Sequence, residues 1–299
     1  MQLRKTTIGA AAALALVPAT AFAATINGGP GNERLRGTNV ADTINGNGGN
    51  DHIWGFAGDD ALTGGPGNDR IFGGGGNDTI AGVAGNDWLN GGAGDDVVTG
   101  DVNGAGDLTS FDRIFGGSGN DKLYGGDARD RVYGGSGNDE SHGQNGNDLM
   151  AGGTGDDVQY GEAGNDTIFA NLGQDTSYGG EGDDTLWALA RGDVTPGPNG
   201  EVDAVGDTLD GGPGNDTFRT RDGEVDKITC GDGTDVALLD TVDVITDATV
   251  ANPNGSCERV VRVAVGVKKH GKRGNQHAEQ GNDKSENAQQ APKDEHKQS

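Results

Sequence analysis

Residues 64–81 read GGPGNDRIFGGGGNDTIA. The stretch states one pattern twice, nine residues apart: a glycine-rich turn, an Asn-Asp pair, then a short patch with an isoleucine. The pattern extends in both directions. From Gly28 the units run without a break as GGPGNERLR, GTNVADTIN, GNGGNDHIW, GFAGDDALT, GGPGNDRIF, GGGGNDTIA, GVAGNDWLN and GGAGDDVVT, ending at Thr99. An insertion of seven residues, 100–106, follows, and the register resumes with DLTSFDRIF and continues through Trp187. A longer insertion rich in Pro and Gly, 188–201, precedes weaker units that end near Leu238. The result is about twenty units, where about three suffice for a stacked repeat.

Each position of the unit has a physical reading. Glycines at positions 1, 2 and 4 permit the positive φ angles of a tight loop. Asn or Asp at position 5 tolerates left-handed geometry and caps turns. Position 6 is Asp in nearly every unit, the first carrying Glu33 instead. Position 8 is usually Ile, Leu or Val, which suits a three-residue strand whose middle side chain points inward.

Composition bounds what such a chain can do. Glycine supplies 59 of 299 residues and aromatics only 5%, too little apolar bulk for an ordinary globular core. The glycines lack a three-residue period, which excludes a collagen helix. The net charge is −25, and −27 once Arg4 and Lys5 are removed with a leader. Such a charge argues against nucleic acid, whose phosphates would be repelled. An acidic, glycine-rich chain is either disordered or neutralised by cations, and the periodicity favours the second.

The repeat GGxGxDxUx, with U a large aliphatic residue, resembles the RTX (repeats-in-toxin, hemolysin-type) calcium-binding repeat over about Gly28 to Leu238. The resemblance implies an all-β fold, a parallel β-roll or right-handed β-solenoid. In it the first six residues of a unit form a calcium loop and the last three a strand. Two units would make one coil, so that loops eighteen residues apart stack on one side. Asp51 would then line up with Asp69 and Asp87, and Asp42, Asp60, Asp78 and Asp96 would share the other edge. The two Asn-Asp turns of residues 64–81 would thus serve opposite edges.

The chemistry of the loops points to Ca2+ independently. Calcium takes six to eight oxygens from carboxylates and carbonyls, and glycine loops leave their carbonyls accessible. Magnesium demands a tight octahedron and keeps its waters, and zinc would want Cys or His at useful spacing. Turn formation alone would accept Asn or Ser where the repeat keeps Asp. The candidate ligands are Asp51, Asp60, Asp69, Asp78, Asp87, Asp96, Asp121, Asp139, Asp148, Asp157, Asp166, Asp175, Asp184 and Asp216. Glu33, Asp42, Asp112 and Asp130 belong to irregular loops and are set apart from them. Burying one Leu or Ile contributes roughly 1.5–3 kcal/mol, less than the ordering of nine residues costs. Folding is therefore expected to be coupled to multiple calcium ions.

One inward column reads Leu35, Ile53, Ile71, Leu89, Ile114, Val132, Met150, Ile168, Leu186. The other reads Ile44, Leu62, Ile80, Val98, Leu123, then Ser141, Gln159 and Ser177. The three polar residues are met either by a register shift that exposes them or by a polar ladder with trapped water. Position 9, facing outward, carries Trp54, Phe72, Phe115, Tyr133, Phe169 and Trp187 on one sheet and Tyr124, His142, Tyr160 and Tyr178 on the other. These columns either stiffen the roll by packing across rungs or present a face to a glycan or partner.

The ends read differently from the array. Residues 1–23 carry a short positive region, an apolar stretch too short to span a bilayer and an Ala-Phe-Ala cleavage site, the pattern of a secretory signal peptide. Residues 24–238 form the expected roll, 239–267 a terminal cap, and 268–299 a disordered tail opened by Lys268, Lys269, Lys272 and Arg273. Cys230 and Cys257, an even pair in an exported chain, are expected to form a disulfide.

These readings converge on a secreted, non-membrane-spanning calcium-binding protein with a structural, adhesive or envelope-associated role. Its partners would be calcium ions and a cell-envelope polymer or glycan. A calcium-dependent glycan- or surface-binding module using the aromatic columns is the alternative. The array of an exoenzyme or toxin is a third reading. No G-x-S-x-G elbow or H-E-x-x-H motif is present, His52 and His142 have no paired nucleophile, and no enzyme activity is expected. An ice-binding face would need a regular Thr row, and Thr is only sporadic at positions 7 and 9.

Overall fold

A computed structural model of the chain describes residues 22–101, 110–188, 206–249, 252 and 254–264. Nearly all of the leader expected over 1–23, the bulk of both insertions and the tail over 268–299 lie outside the described residues. The described residues contain strands, turns and bends and no helix.

Twenty-four strands run from Thr25–Asn27 to Arg259–Val263 and alternate between two parallel sheets of twelve. The first sheet opens with Thr25–Asn27 and the second with Arg34–Arg36, so successive units fall on opposite sheets. Pairing follows the eighteen-residue period: Ile53 lies opposite Ile71, and Ile71 opposite Leu89. The fold is the parallel β-solenoid that the repeat implies.

The strands are longer than the three residues expected. Most span six, as in His52–Ala57 and Arg70–Gly75. Residues at positions 2 and 3 of the following unit also pair, for example Gly117 with Gly135 and Ser118 with Ser136. Their backbones meet across coils whatever the side chain, from Gly117 with Gly135 to Gln144 with Glu162, so the loop is only the short remainder of the unit.

Insertions leave the stacking intact. The N–H of Asp87 reaches Asp112, twenty-five residues on, which is eighteen plus the seven-residue insertion. Across the second insertion the N–H of Asp175 reaches Asp207, thirty-two residues on. The first interruption falls later in its unit than the sequence suggested. Gly100 sits at position 1 above Asp112, and Asp101 pairs with Val83, so the extra residues enter between Asp101 and Ser110. This explains why residues 107–111 lack a glycine: Gly100 supplies it.

Position 8 fills the interior in both sheets. Ile44, Ile53, Leu62, Ile71, Ile80, Leu89, Val98, Ile114, Leu123, Val132, Met150 and Ile168 form one buried cluster. A second cluster gathers Leu186, Leu209, Phe218, Ile228, Ala237 and Leu239 with the two cysteines. The break coincides with the polar column. Ser141, Gln159 and Ser177 stay in register and buried, Ser141 opposite Gln159 and Gln159 opposite Ser177. No shift exposes them. The Ser177 hydroxyl donates to Gln159 Oε1 at 3.1 Å, so the ladder is polar within an apolar stack.

Cys230 and Cys257 form a disulfide with Cα atoms 5.3 Å apart. The sheets continue beyond Leu238 through Val244–Ile245 and Arg259–Val263, which pair in register with the coils before them.

Candidate metal centre

The position-6 residues form two columns, one along each edge of the roll. One runs Glu33, Asp51, Asp69, Asp87, Asp112, Asp130, Asp148, Asp166, Asp184, Asp216, Asp235 and Glu258. The other runs Asp42, Asp60, Asp78, Asp96, Asp121, Asp139, Asp157, Asp175, Asp207, Asp226 and Asp243. Each link has the same form. The backbone N–H of one residue donates to a carboxylate oxygen of the residue one coil later, as Asp51 does to Asp69 Oδ1 at 2.7 Å. Asp69 therefore meets Asp51 and Asp87, and Asp78 meets Asp60 and Asp96, so the two turns of residues 64–81 do serve opposite edges.

The second oxygen of these carboxylates is the informative atom. Oδ2 is buried and makes no hydrogen bond in Asp51, Asp60, Asp69, Asp78, Asp87, Asp96, Asp121, Asp139, Asp148, Asp157, Asp166, Asp175, Asp184 and Asp216. These are all fourteen candidate ligands. A buried carboxylate oxygen without a donor costs more than a neutral orphan, and so regular a set calls for a cation. Burial, chiefly, and the neighbouring carboxylates push several of these groups well above the usual carboxylate range, against the opposing effect of the backbone N–H. Asp69 and Asp78 rise to about 6, Asp96 to about 7, Asp87 and Asp148 to about 8, and Asp175 to about 9.

Glycine makes the space in two distinct ways. Positions 2 and 4 have positive φ, as at Gly74 and Gly76 (φ 122° and 120°). Position 1 does not, which corrects the expectation of left-handed geometry there. A Cβ on Gly73 would instead collide with Asp78 Oδ2 and with the carbonyl of Gly91 in the next coil. Position 1 is glycine so that the carboxylate can lie under the loop.

Position 5 also departs from its expected role. None of these residues has positive φ; their side chains bond between coils. Asn50 Oδ1 accepts the N–H of Asn68 at 2.9 Å, and Asn68 Oδ1 accepts that of Asn86. In this ladder each N–H donates back to the coil before it, opposite in sense to the position-6 ladder.

Some residues outside the candidate set share its geometry. Asp112 and Asp130, set apart for their irregular loops, stand in the column with buried, unbonded Oδ2 atoms. So do Asp226 and Asp235. Spacings of nineteen and seventeen residues hide the late members from a strict nonapeptide reading. Asp42 is different: Thr38 donates to it through both backbone and hydroxyl, so the protein itself satisfies that carboxylate. Asp243 is likewise held, by Thr220 and the N–H of Asp240.

No three His, Cys, Asp or Glu side chains converge on one point among the described residues. A bound ion would be held by a position-6 carboxylate together with backbone carbonyls of the glycine loops. This all-oxygen donor set suits Ca2+ and offers zinc neither nitrogen nor sulfur.

Such an architecture defines a class of protein, a parallel β-solenoid with a column of buried carboxylates along each edge. The family model described as RTX calcium-binding nonapeptide repeat (4 copies) matches residues 27–55, 36–71, 54–89, 72–102, 109–140, 142–177, 151–186, 174–190 and 204–236, and the chain belongs to this family. No curated protein matches the chain.

Proposed function

We propose that this chain is an exported, non-catalytic protein whose repeat array folds when it binds several calcium ions and then serves a structural, adhesive or envelope-associated role. The observation that carries the reading is the double column of buried, partnerless Oδ2 atoms. A metal-free roll must place carboxylates one above another without compensation, whereas each ion at about 100 times its Kd adds about 2.7 kcal/mol. Calcium, scarce in cytosol and abundant outside, would let the chain fold after export. The disulfide fits an oxidising compartment, and no described helix is long and apolar enough to cross a membrane. Circular dichroism with calorimetric titration tests the reading: coil in EDTA and strand in millimolar calcium are expected. Full β-structure persisting in EDTA would sink it.

A second reading, a glycan- or surface-binding module, draws support from the aromatic columns. Tyr124, His142, Tyr160 and Tyr178 stack along the first sheet with ring centroids 4.8–5.1 Å apart. On the second sheet Trp54, Phe72, Phe115 and Tyr133 form a longer run, joined by Trp88. Asn90 leaves a gap at position 9, and Trp88 fills it from position 7, 4.6 Å from Phe72 and 5.3 Å from Phe115.

A further inference from the structure

The second sheet departs in charge from the rest of the molecule. From Arg34–Arg36 to Thr217–Thr220 its strands contain no Asp or Glu, in a chain of net charge −25. Its outward positions carry Arg34, Arg36, Arg70, Arg113, Arg131 and Arg219. The first sheet has no arginine and carries Glu140, Glu162 and Glu181 in its strands. Arginine is thus concentrated on one face, beside the aromatic run.

The arrangement is periodic. Arg34, His52, Arg70, Trp88 and Arg113 occupy one column on successive rungs. Rungs of a sheet are about 4.8 Å apart, so Arg34, Arg70 and Arg113 recur at about 9.6 Å. These three arginines are exposed. Arg113 and Arg131 lie over the Phe111 ring at 4.9 and 5.3 Å, and Arg36 over Trp54 at 5.2 Å, which limits their freedom before any partner arrives.

The rings narrow the choice of partner. Trp54 stacks on Phe72 and Phe115 on Tyr133, at centroid separations of 6.1 and 5.1 Å, and Trp88 fills the space between the two pairs, tilted 45° and 40° against Phe72 and Phe115 at 4.6 and 5.3 Å. Bases cannot stack on faces already covered, which removes the usual platform for single-stranded nucleic acid. What remains is a low apolar ridge of ring edges beside a row of planar cations. Guanidinium groups pair bidentately with carboxylates. An extended polymer that presents a carboxylate on one side once per two sugars, with its carbon-bound hydrogens against the ridge, matches both the spacing and the charge.

We propose that the outward face of the second sheet is a docking surface for a linear uronic-acid polysaccharide, aligned along the roll axis with its carboxylates on Arg34, Arg70 and Arg113. The proposal rests on the calcium reading, because only the folded roll sets these residues in a row.

The test uses the full chain in millimolar calcium and an end-labelled oligomannuronate hexamer, followed by fluorescence anisotropy. Binding is expected, weakened by salt and absent for a neutral mannan oligomer of equal length. Arg70→Glu/Arg113→Glu should weaken it by about tenfold or more, the loss expected of removing close charge partners. Lys122→Glu/Lys227→Glu, on the other sheet, should leave it unchanged. Circular dichroism of each variant verifies the fold, and Arg70→Gln/Arg113→Gln replaces the Glu pair if that pair misfolds. A folded chain that ignores the oligomer overturns this proposal alone. So does equal loss from the lysine pair, no loss from the arginine pair, tighter binding of an oligothymidylate, or a mass in light scattering showing that copies of the chain occupy the face. A chain that stays coil in calcium overturns the calcium reading and this proposal with it.

Discussion

Asp78→Asn separates what the fold requires of this carboxylate from what calcium requires. Asp78 Oδ1 accepts the Asp60 N–H at 2.8 Å, and an Asn oxygen can do the same. Oδ2 is buried without a partner, and burial first, then the backbone N–H in opposition and the Asp60 and Asp59 charges, leave the group at about 6 rather than 3.8. At about pH 7.5 the metal-free roll must hold Asp78 charged, a cost of at most about 3 kcal/mol from that difference once solvent screening is allowed for. The amide removes the cost, so the variant should be the more stable without metal. In calcium the same change deletes a ligand, and each ion lost takes away about 2.7 kcal/mol at about 100 times its Kd. The gain from calcium should therefore shrink by at least that much and cancel the metal-free advantage. The assay is folding followed by circular dichroism, in EDTA with trimethylamine oxide titrated to drive the chain into the roll, and in calcium against urea. A variant that needs more osmolyte than the parent in EDTA, or that keeps the full calcium increment, would refute the reasoning.

Acidity should substitute for metal. The folded values lie above the unfolded 3.8, from about 6 at Asp69 to about 9 at Asp112 and Asp226, so the folded state binds more protons. Metal-free stability is then fully present below about pH 4 and lost as pH rises through the window from about 6 to 9. Strand content in EDTA should grow on acidification and the calcium midpoint should rise; the opposite trend in either counts against the columns. Cys230→Ser/Cys257→Ser opens a link across 27 residues and should cost about 3–4 kcal/mol, read as a higher calcium midpoint for folding; an unchanged midpoint would show that the last coils fold without it. Ser141→Ala/Gln159→Leu/Ser177→Ala replaces a buried polar ladder, in which Gln159 Nε2 and Ser141 Oγ have no partner, by apolar groups, and should raise the melting temperature by about 4 °C or more. A lower melting temperature would show that the ladder stabilises the roll. Gly76→Ala, at φ 120° against the carbonyl of Gly58, should destabilise the calcium form by about 1–3 kcal/mol in urea, and a neutral result would contradict the left-handed requirement at position 4.

Much of this architecture is legible in the letters because the repeat is strict where physics is strict. Position 8 must be apolar to fill the interior, and the columns from Ile53 to Leu186 follow from the spacing. Position 6 must be acidic, and the pairing of Asp69 with Asp51 and Asp87 follows from the same period. What escapes a sequence reading depends on contacts between coils. Glycine at position 1 looks like any turn glycine until the neighbouring Asp Oδ2 is seen to need its space. Asn50 and Asn68 look like turn formers, although each bonds the backbone of the next coil. Trp88 stands at the wrong position for the ring column and joins it only because Asn90 leaves room. Asp226 and Asp235 are hidden by spacings that drift by a residue, which the loops absorb and a fixed period does not.

The sense of the position-6 bonds gives the array a polarity. Each Asp N–H finds its acceptor in the coil that follows, so a frontier advancing toward the C-terminus always exposes donors that only the next arrival can quench. Such a frontier invites further growth and must be told where to stop. Glu258 does this: its carboxylate takes the N–H of Asp235 at 2.7 Å, and the neighbouring Cys257 ties it back to Cys230. Among the described residues one column thus ends on an acceptor moored by a covalent bond, so that reducing the disulfide would loosen the end of the ladder as well as the chain.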